Sequence, residues 1–241
     1  MKTGLGIEEL GFSTGAQKSG GFAFASIPNP QSSILSLNVL ILAFCFCLPS
    51  LAHAGAQAQE ALSASVQAVL QRAVSDQAVP KHAFATQGQA DVWLAEMSQR
   101  LVKRIPDRED REDFLTTVHY EATRAGLDPH LVLGLIEVES GFRKYAVSNA
   151  GARGYMQVMP FWTRALHAPE HDLFHLRTNL RYGCTILRYY LDIEKGNLYR
   201  ALGRYNGSLG KAEYPNLVKA AWHKHWAAPQ RTAGSQSGPA S

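Results

Sequence analysis

The sequence predicts an all-helical domain, and three observations carry that prediction. Apolar residues recur at three- and four-residue spacing through successive stretches between Leu62 and Trp226. Those stretches are punctuated by helix starts and stops, among them Asp107, Gly126, Asp128-Pro129 and Asn206-Gly207. No convincing strand pattern and no internal repeat interrupts them.

At 241 residues the chain has room for one domain of ordinary size with flanking segments, and its 46% apolar content is that of a globular protein. The net charge of +4 is mild, and no basic run is interleaved with aromatics, so nucleic acid is not an expected partner. A mild positive balance suits an anionic polymer without identifying one. Of the three cysteines, Cys45 and Cys47 lie in an apolar run near the start. That leaves Cys184 alone, on an apolar stripe, as a core residue with no disulfide partner in the remaining chain.

Residues 1–54 read as an N-terminal extension followed by an export signal. Residues 1–33 are rich in Gly, Ser and Asn without a sustained period, as in a disordered segment or an over-long start. Residues 34–48 are the most apolar part of the chain, shorter than the ~20 residues a spanning helix needs. Pro49-Ser50-Leu51-Ala52-His53-Ala54 follows, with small residues where a signal peptidase needs them. Cleavage after Ala54 is the favoured reading, although the nearest basic residue, Lys18, lies well upstream. Membrane anchoring is expected only if the 34–48 segment is not cleaved, and a lipoprotein is disfavoured by Phe44 and Phe46 before the two cysteines.

Residues 55–89 read as a linker carrying one short amphipathic helix. Residues 55–61 are Ala- and Gln-rich; Leu62, Val66, Val69, Leu70, Ala73 and Val74 then recur at helical spacing. Pro80 and Gly88 mark a further connection. The domain proper spans 90–226. Asp91 can cap a helix carrying Val92, Leu94, Met97, Leu101 and Val102, which Ile105-Pro106 breaks. Asp107 opens the next, with acidic residues in its first turn where they suit the helix dipole. Phe114, Leu115, Val118, Ala122 and Ala125 form its buried stripe, and Gly126 stops it.

Asp128-Pro129 caps and starts a central helix of Leu131, Val132, Leu133, Leu135, Ile136 and Val138, ending in Glu139-Ser140-Gly141. A small-residue turn at 148–154 leads to Pro160, which can start a helix with Phe161, Trp162 and Leu166. Residues 176–191 and 198–205 give two more helices. Residues 215–226 close the domain with Leu217, Val218, Ala221 and Trp222. The tail, 227–241, has nothing to bury and is expected to be disordered.

Two carboxylates compete for a chemical role on the central helix. Glu137 and Glu139 are two apart, about 200° around a helix, so they cannot both face one cleft. Glu139 adjoins the helix-ending Gly141, where the chain opens toward the glycine turn. An acid at the end of an otherwise apolar helix is how a chain builds a partly dehydrated carboxylic acid at a cleft edge. Glu139 is the candidate general acid for cleaving a sugar–sugar bond, and Glu137 is assigned to an ion pair or solvent. The next acidic residues are Glu170 and Asp172, so the local sequence offers no nucleophile for a two-carboxylate glycosidase. A single-acid mechanism would require the substrate to supply its own nucleophile.

Four ordered motifs carry a resemblance. They are Glu139-Ser140-Gly141-Phe142; Ala146-Val147-Ser148 with Gly151-Ala152; Gly154-Tyr155-Met156-Gln157-Val158-Met159-Pro160; and Tyr205-Asn206. Together with Asn179-Leu180 to Gly183, they resemble the catalytic domain of the soluble lytic transglycosylase family, related to goose-type lysozymes, over residues 115–207. The resemblance implies a lysozyme-like helical fold with Glu139 as the catalytic acid. It implies further that Ser148 and Gln157 line the acid and the sugar subsites, that Met156 flanks the cleft floor, and that Tyr205 stands near the acid with Asn206 beside it. Tyr155 replaces the usual Leu, and Gly207-Ser208 replaces Ala-Gly, so both put the subsite geometry in question.

The implied reaction cleaves the β-1,4 bond between N-acetylmuramic acid and N-acetylglucosamine to give a 1,6-anhydro product, without metal or cofactor. The implied partner is the glycan strand of peptidoglycan, met by an exported, periplasmic monomer. Two alternatives stand beside it: a hydrolytic goose-type muramidase, and a catalytically silent wall-binding module. His167, His171 and His175 recur every four residues and include a His-x-x-Glu-His string. Pro169 in its middle argues for a loop in place of a zinc-binding helix, so no metal site is expected there.

Overall fold

The computed structural model describes residues 57, 61–75, 84 and 86–228, and the readings made on 1–54 and on the tail beyond 228 lie outside them. Among the described residues are eight α-helices: α1 (Ala64–Ser75), α2 (Gln87–Leu101), α3 (Arg108–Arg124), α4 (Pro129–Ser140), α5 (Phe161–Ala165), α6 (Leu176–Ile193), α7 (Leu198–Asn206) and α8 (Glu213–Ala221). A single π turn, Trp222–Trp226, continues α8. Among the described residues no sheet forms; two isolated antiparallel bridges, Val147 with Arg153 and Arg153 with Val158, fold the segment after α4 into a small hairpin.

The caps follow from the sequence. The Asp107 carboxylate accepts from the Asp110 N–H at 2.8 Å, and the Asp128 carboxylate from the His130 N–H at 2.8 Å. The start of α2 differs from expectation: Thr86, not Asp91, is its cap, and Asp91 sits a turn inside, accepting from the Gln87 side chain. α8 likewise starts at Glu213, ahead of the expected Pro215, and Leu217 is 58% exposed while Tyr214 is buried. Val92 and Val102 also face outward, leaving Ala90, Trp93, Met97 and Leu101 as the inner face of α2.

Helix α4 is the centre of the packing. Every residue from Leu131 to Ile136 is buried, as befits a helix apolar all round. It packs against α3, α8 and the π turn, while α6 packs against α1, α3 and α7. Two polar devices tie these layers. Buried Glu121 on α3 accepts from Arg181 on α6 (3.1 and 2.9 Å) and from Arg124 (2.9 Å). Asn179, fully buried on α6, accepts from the Met156 N–H and donates to the carbonyls of Arg153 and Leu173, each at 2.8 Å. The second device fixes the hairpin on the helical body.

Candidate active site

The last turn of α4 sets the site. Gly141 takes a left-handed conformation (φ 58°) and Phe142 follows in the same region (φ 66°). Two such residues in succession swing the chain sharply off the helix axis, which leaves Glu139 at an edge. The left-handed conformation costs Phe142 about 1–2 kcal/mol. Its buried ring, packed on Trp226 (5.2 Å) and Phe114 (6.0 Å), offsets this with about 2–3 kcal/mol of burial.

Glu139 and Glu137 separate as their spacing requires. Glu137 faces the π turn, where its carboxylate accepts from the Trp226 indole at 2.6 Å and pairs with His225 at 3.0 Å. Glu139 is half-buried, and its Oε1 accepts a hydrogen bond from the hydroxyl of buried Tyr214. Burial pushes the Glu139 carboxyl up to about 8, with the Tyr214 hydrogen bond pulling the other way. Desolvation wins, so the acid holds its proton at neutral pH. Among the described residues no second carboxylate acts on it.

The remaining candidates divide into those near the acid and those supporting it. Tyr205 is buried, its hydroxyl donates to the Met156 carbonyl at 2.7 Å, and its pKa is raised first by burial and next by Glu139. Met156 is fully buried; a Cβ on Gly183 would lie 2.3 Å from its sulfur, so the glycine on α6 makes room for it. Gln157, at φ 48°, donates from Nε2 to the carbonyls of Ala146 and Gly154 (3.1 and 2.9 Å) and so holds the hairpin closed. Ser148 accepts from the Ala152 N–H at 3.1 Å in the same hairpin.

Tyr155 packs on Phe114 (4.9 Å). Its hydroxyl is pushed up to about 12 by burial and then by Asp110, so the structure places it against α3. Asn206 is buried with its Nδ2 unpaired among the described residues.

Sequence reasoning missed two residues here. Tyr214 belonged to a helix expected to begin after it, and no local pattern marks its contact with Glu139. Gln57 fell in an Ala- and Gln-rich stretch, yet its side chain is buried, bonded to Trp162 and adjacent to Tyr205. The three histidines go to separate tasks: His167 bonds Gln67, His171 the Tyr182 hydroxyl, and His175 caps α6. Among the described residues no group of three or more His, Cys, Asp or Glu could hold a metal ion. Cys184 is buried and its thiol is pushed far up by burial, as an inert core residue's would be.

A helical body, a short hairpin and one dehydrated acid at a helix end define a lysozyme-like domain. Comparison with known proteins agrees: residues 116–222 match the transglycosylase SLT domain family. Relatives include membrane-bound lytic murein transglycosylase C of Mannheimia succiniciproducens, 39% identical over 64 residues, which is 27% of this chain and 16% of that one. The same-named protein of Actinobacillus pleuropneumoniae serotype 5b is 53% identical over 47 residues, 20% and 13% of the two chains. That of Haemophilus influenzae strain PittEE is 38% identical over 64 residues, 27% and 16%. These matched stretches span no more than 16% of the relatives' own length. Among the described residues no helix is long and apolar enough to cross a membrane.

Proposed function

We propose that the protein cleaves peptidoglycan glycan strands as a lytic transglycosylase, with Glu139 as its single acid and base. Protonated Glu139 donates to the glycosidic oxygen between N-acetylmuramic acid and N-acetylglucosamine, and the C1–O bond breaks. The resulting carboxylate takes the proton of the muramoyl C6 hydroxyl, whose oxygen bonds to C1 and closes the 1,6-anhydro ring. Atoms balance without water, and Glu139 ends protonated as it began. Holding nucleophile and electrophile on one sugar supplies an orientation gain of several kcal/mol.

The observation that carries this reading is the state of Glu139: a carboxyl held neutral at pH 7 by desolvation, with no second carboxylate among the described residues acting on it. A two-carboxylate hydrolase needs a partner acid within ~10 Å. A goose-type muramidase remains the alternative outcome, distinguished by reducing-end muramic acid in place of anhydro sugar. Export to the periplasm, through the apolar segment at 34–48 with cleavage after Ala54, is part of the same proposal and fits relatives named as membrane-bound.

The test is mass spectrometry of products released from purified sacculi by wild type and Glu139→Gln. Wild type releases 1,6-anhydro-muropeptides, and the variant folds but retains less than about a hundredth of the rate. Retained turnover in the variant overturns the assignment, and soluble products without an anhydro ring overturn the reaction. Binding to sacculi with no product at all points to a silent wall-binding module.

A further inference from the structure

The π turn after α8 is held from two sides. Arg100 on α2 donates from Nη1 to the carbonyls of His225 (2.8 Å) and Ala227 (3.3 Å). On α4 the Glu137 carboxylate accepts from the Trp226 indole N–H at 2.6 Å and pairs with His225 at 3.0 Å, with Arg104 at 3.9 Å. Three residues earlier on α4, Gly134 lets the Trp222 backbone approach: a Cβ there would lie 2.8 Å from the Trp222 nitrogen and Cα. A π turn is rare, and these contacts pin this one against the face of α4 that Gly134 and Glu137 share.

The other end of the same segment carries Tyr214. α8 and the π turn run without a break from Glu213 to Trp226, so Tyr214 stands about 12 Å along the helix from Trp222. That first turn has no side-chain cap of its own, yet there the Tyr214 hydroxyl meets Glu139. A helix is stiff along its axis, so fixing its last turns fixes where its first turn lies. Two carboxylates of α4 therefore hold opposite ends of one segment, Glu137 the π turn and Glu139 the hydroxyl.

We propose that Glu137 is a positioning residue for the site: by anchoring the π turn through Trp226 and His225, it sets where α8 lies and so holds the Tyr214 hydroxyl on Glu139. This rests on the reading of Glu139 as the acid. The charged groups facing Glu137 are His225 and Arg104, and the titratable groups facing Glu139 are Tyr214 on α8 and Tyr205 on α7. Removing Glu137 then has two effects of opposite sign. Loss of a neighbouring negative charge lowers the pKa of Glu139, whereas loss of the Tyr214 donor raises it.

The test reads the Glu139 carboxyl directly. The full chain, labelled with glutamate carrying 13C at its carboxyl carbon, is titrated from pH 5 to pH 10, and the Glu139 signal is the one lost in Glu139→Gln. Glu137→Ala is expected to raise its titration midpoint by about half a pH unit or more. Trp226→Phe removes the indole donor but keeps a ring on Phe142; it should raise the midpoint in the same direction and guards against a folding defect in the alanine variant. In a Tyr214→Phe background neither substitution should raise it further. An unchanged or lowered midpoint in either folded variant, or a rise that persists without the Tyr214 hydroxyl, overturns the proposal. Anhydro-muropeptide release from sacculi is read separately. A protein that releases them while its midpoint ignores Glu137 loses only the positioning role, and one whose midpoint moves as described but releases nothing loses only the reaction.

Discussion

The Tyr214 hydroxyl donates to Oε1 of Glu139, joining the first turn of α8 to the last turn of α4 across 75 residues of sequence. The bond opposes the effect of burial: it favours the carboxylate, while desolvation favours the neutral acid. In the proposed mechanism the group first gives a proton and then takes one, and it needs both forms within reach.

Removing that hydroxyl exposes the balance. In Tyr214→Phe the carboxylate loses its donor, so the Glu139 pKa rises above about 8. The alkaline limb of the kcat–pH profile on sacculi should move up by about one pH unit. An unchanged limb would show that Tyr214 does not tune the acid.

Stability should depend on pH through the same residue. Below pH 4.5, the ordinary value for Glu139, folded and unfolded chains both hold its proton. Between 4.5 and about 8 only the folded chain does, so this group's contribution to stability falls as pH rises, and above about 8 the full penalty of a buried carboxylate is present. Glu139→Gln cannot ionise, so its Tm advantage over wild type should grow from pH 5 to pH 9. Parallel Tm curves across that range would contradict a raised pKa.

Asn179 should be the least replaceable polar residue outside the acid. Its three hydrogen bonds hold the hairpin on α6, and alanine would strand the Met156 N–H and two carbonyls. A loss of about 3 kcal/mol is expected in urea unfolding, with faster amide exchange across 146–158. A loss under 1 kcal/mol would mean that the hairpin is held elsewhere.

Gly183 and Met156 should behave as a coupled pair. Gly183→Ala drives a methyl into the Met156 side chain and should cost about 1–3 kcal/mol. Part of that loss should return when Met156 is shortened to Ala in the same chain, giving a coupling energy of about 1 kcal/mol in a double-mutant cycle. Additive losses would place the clash somewhere other than between these two residues.

The helical body was legible because its signals are local. Asp107 and Asp128 cap the helices that follow them, and an unbroken apolar run marks α4 as the centre. The divergence of Glu137 and Glu139 was legible for the same reason: two residues diverge by about 200° on any helix, and here one meets Trp226 and the other Tyr214. Thr86 and Glu213 were missed as helix starts because neighbouring residues, Asp91 and Pro215, offered equally good local chemistry.

What the sequence determined by itself was the set of helices and which acid stands at the end of the central one, since both depend on spacing within a few residues. Tertiary structure alone decided the environment of that acid. Its partner Tyr214, the brace Asn179 and the buried Gln57 reach their places through contacts 23 to 105 residues apart in the chain. A carboxyl's pKa depends on which walls exclude water from it, and those walls exist only once the helices have packed.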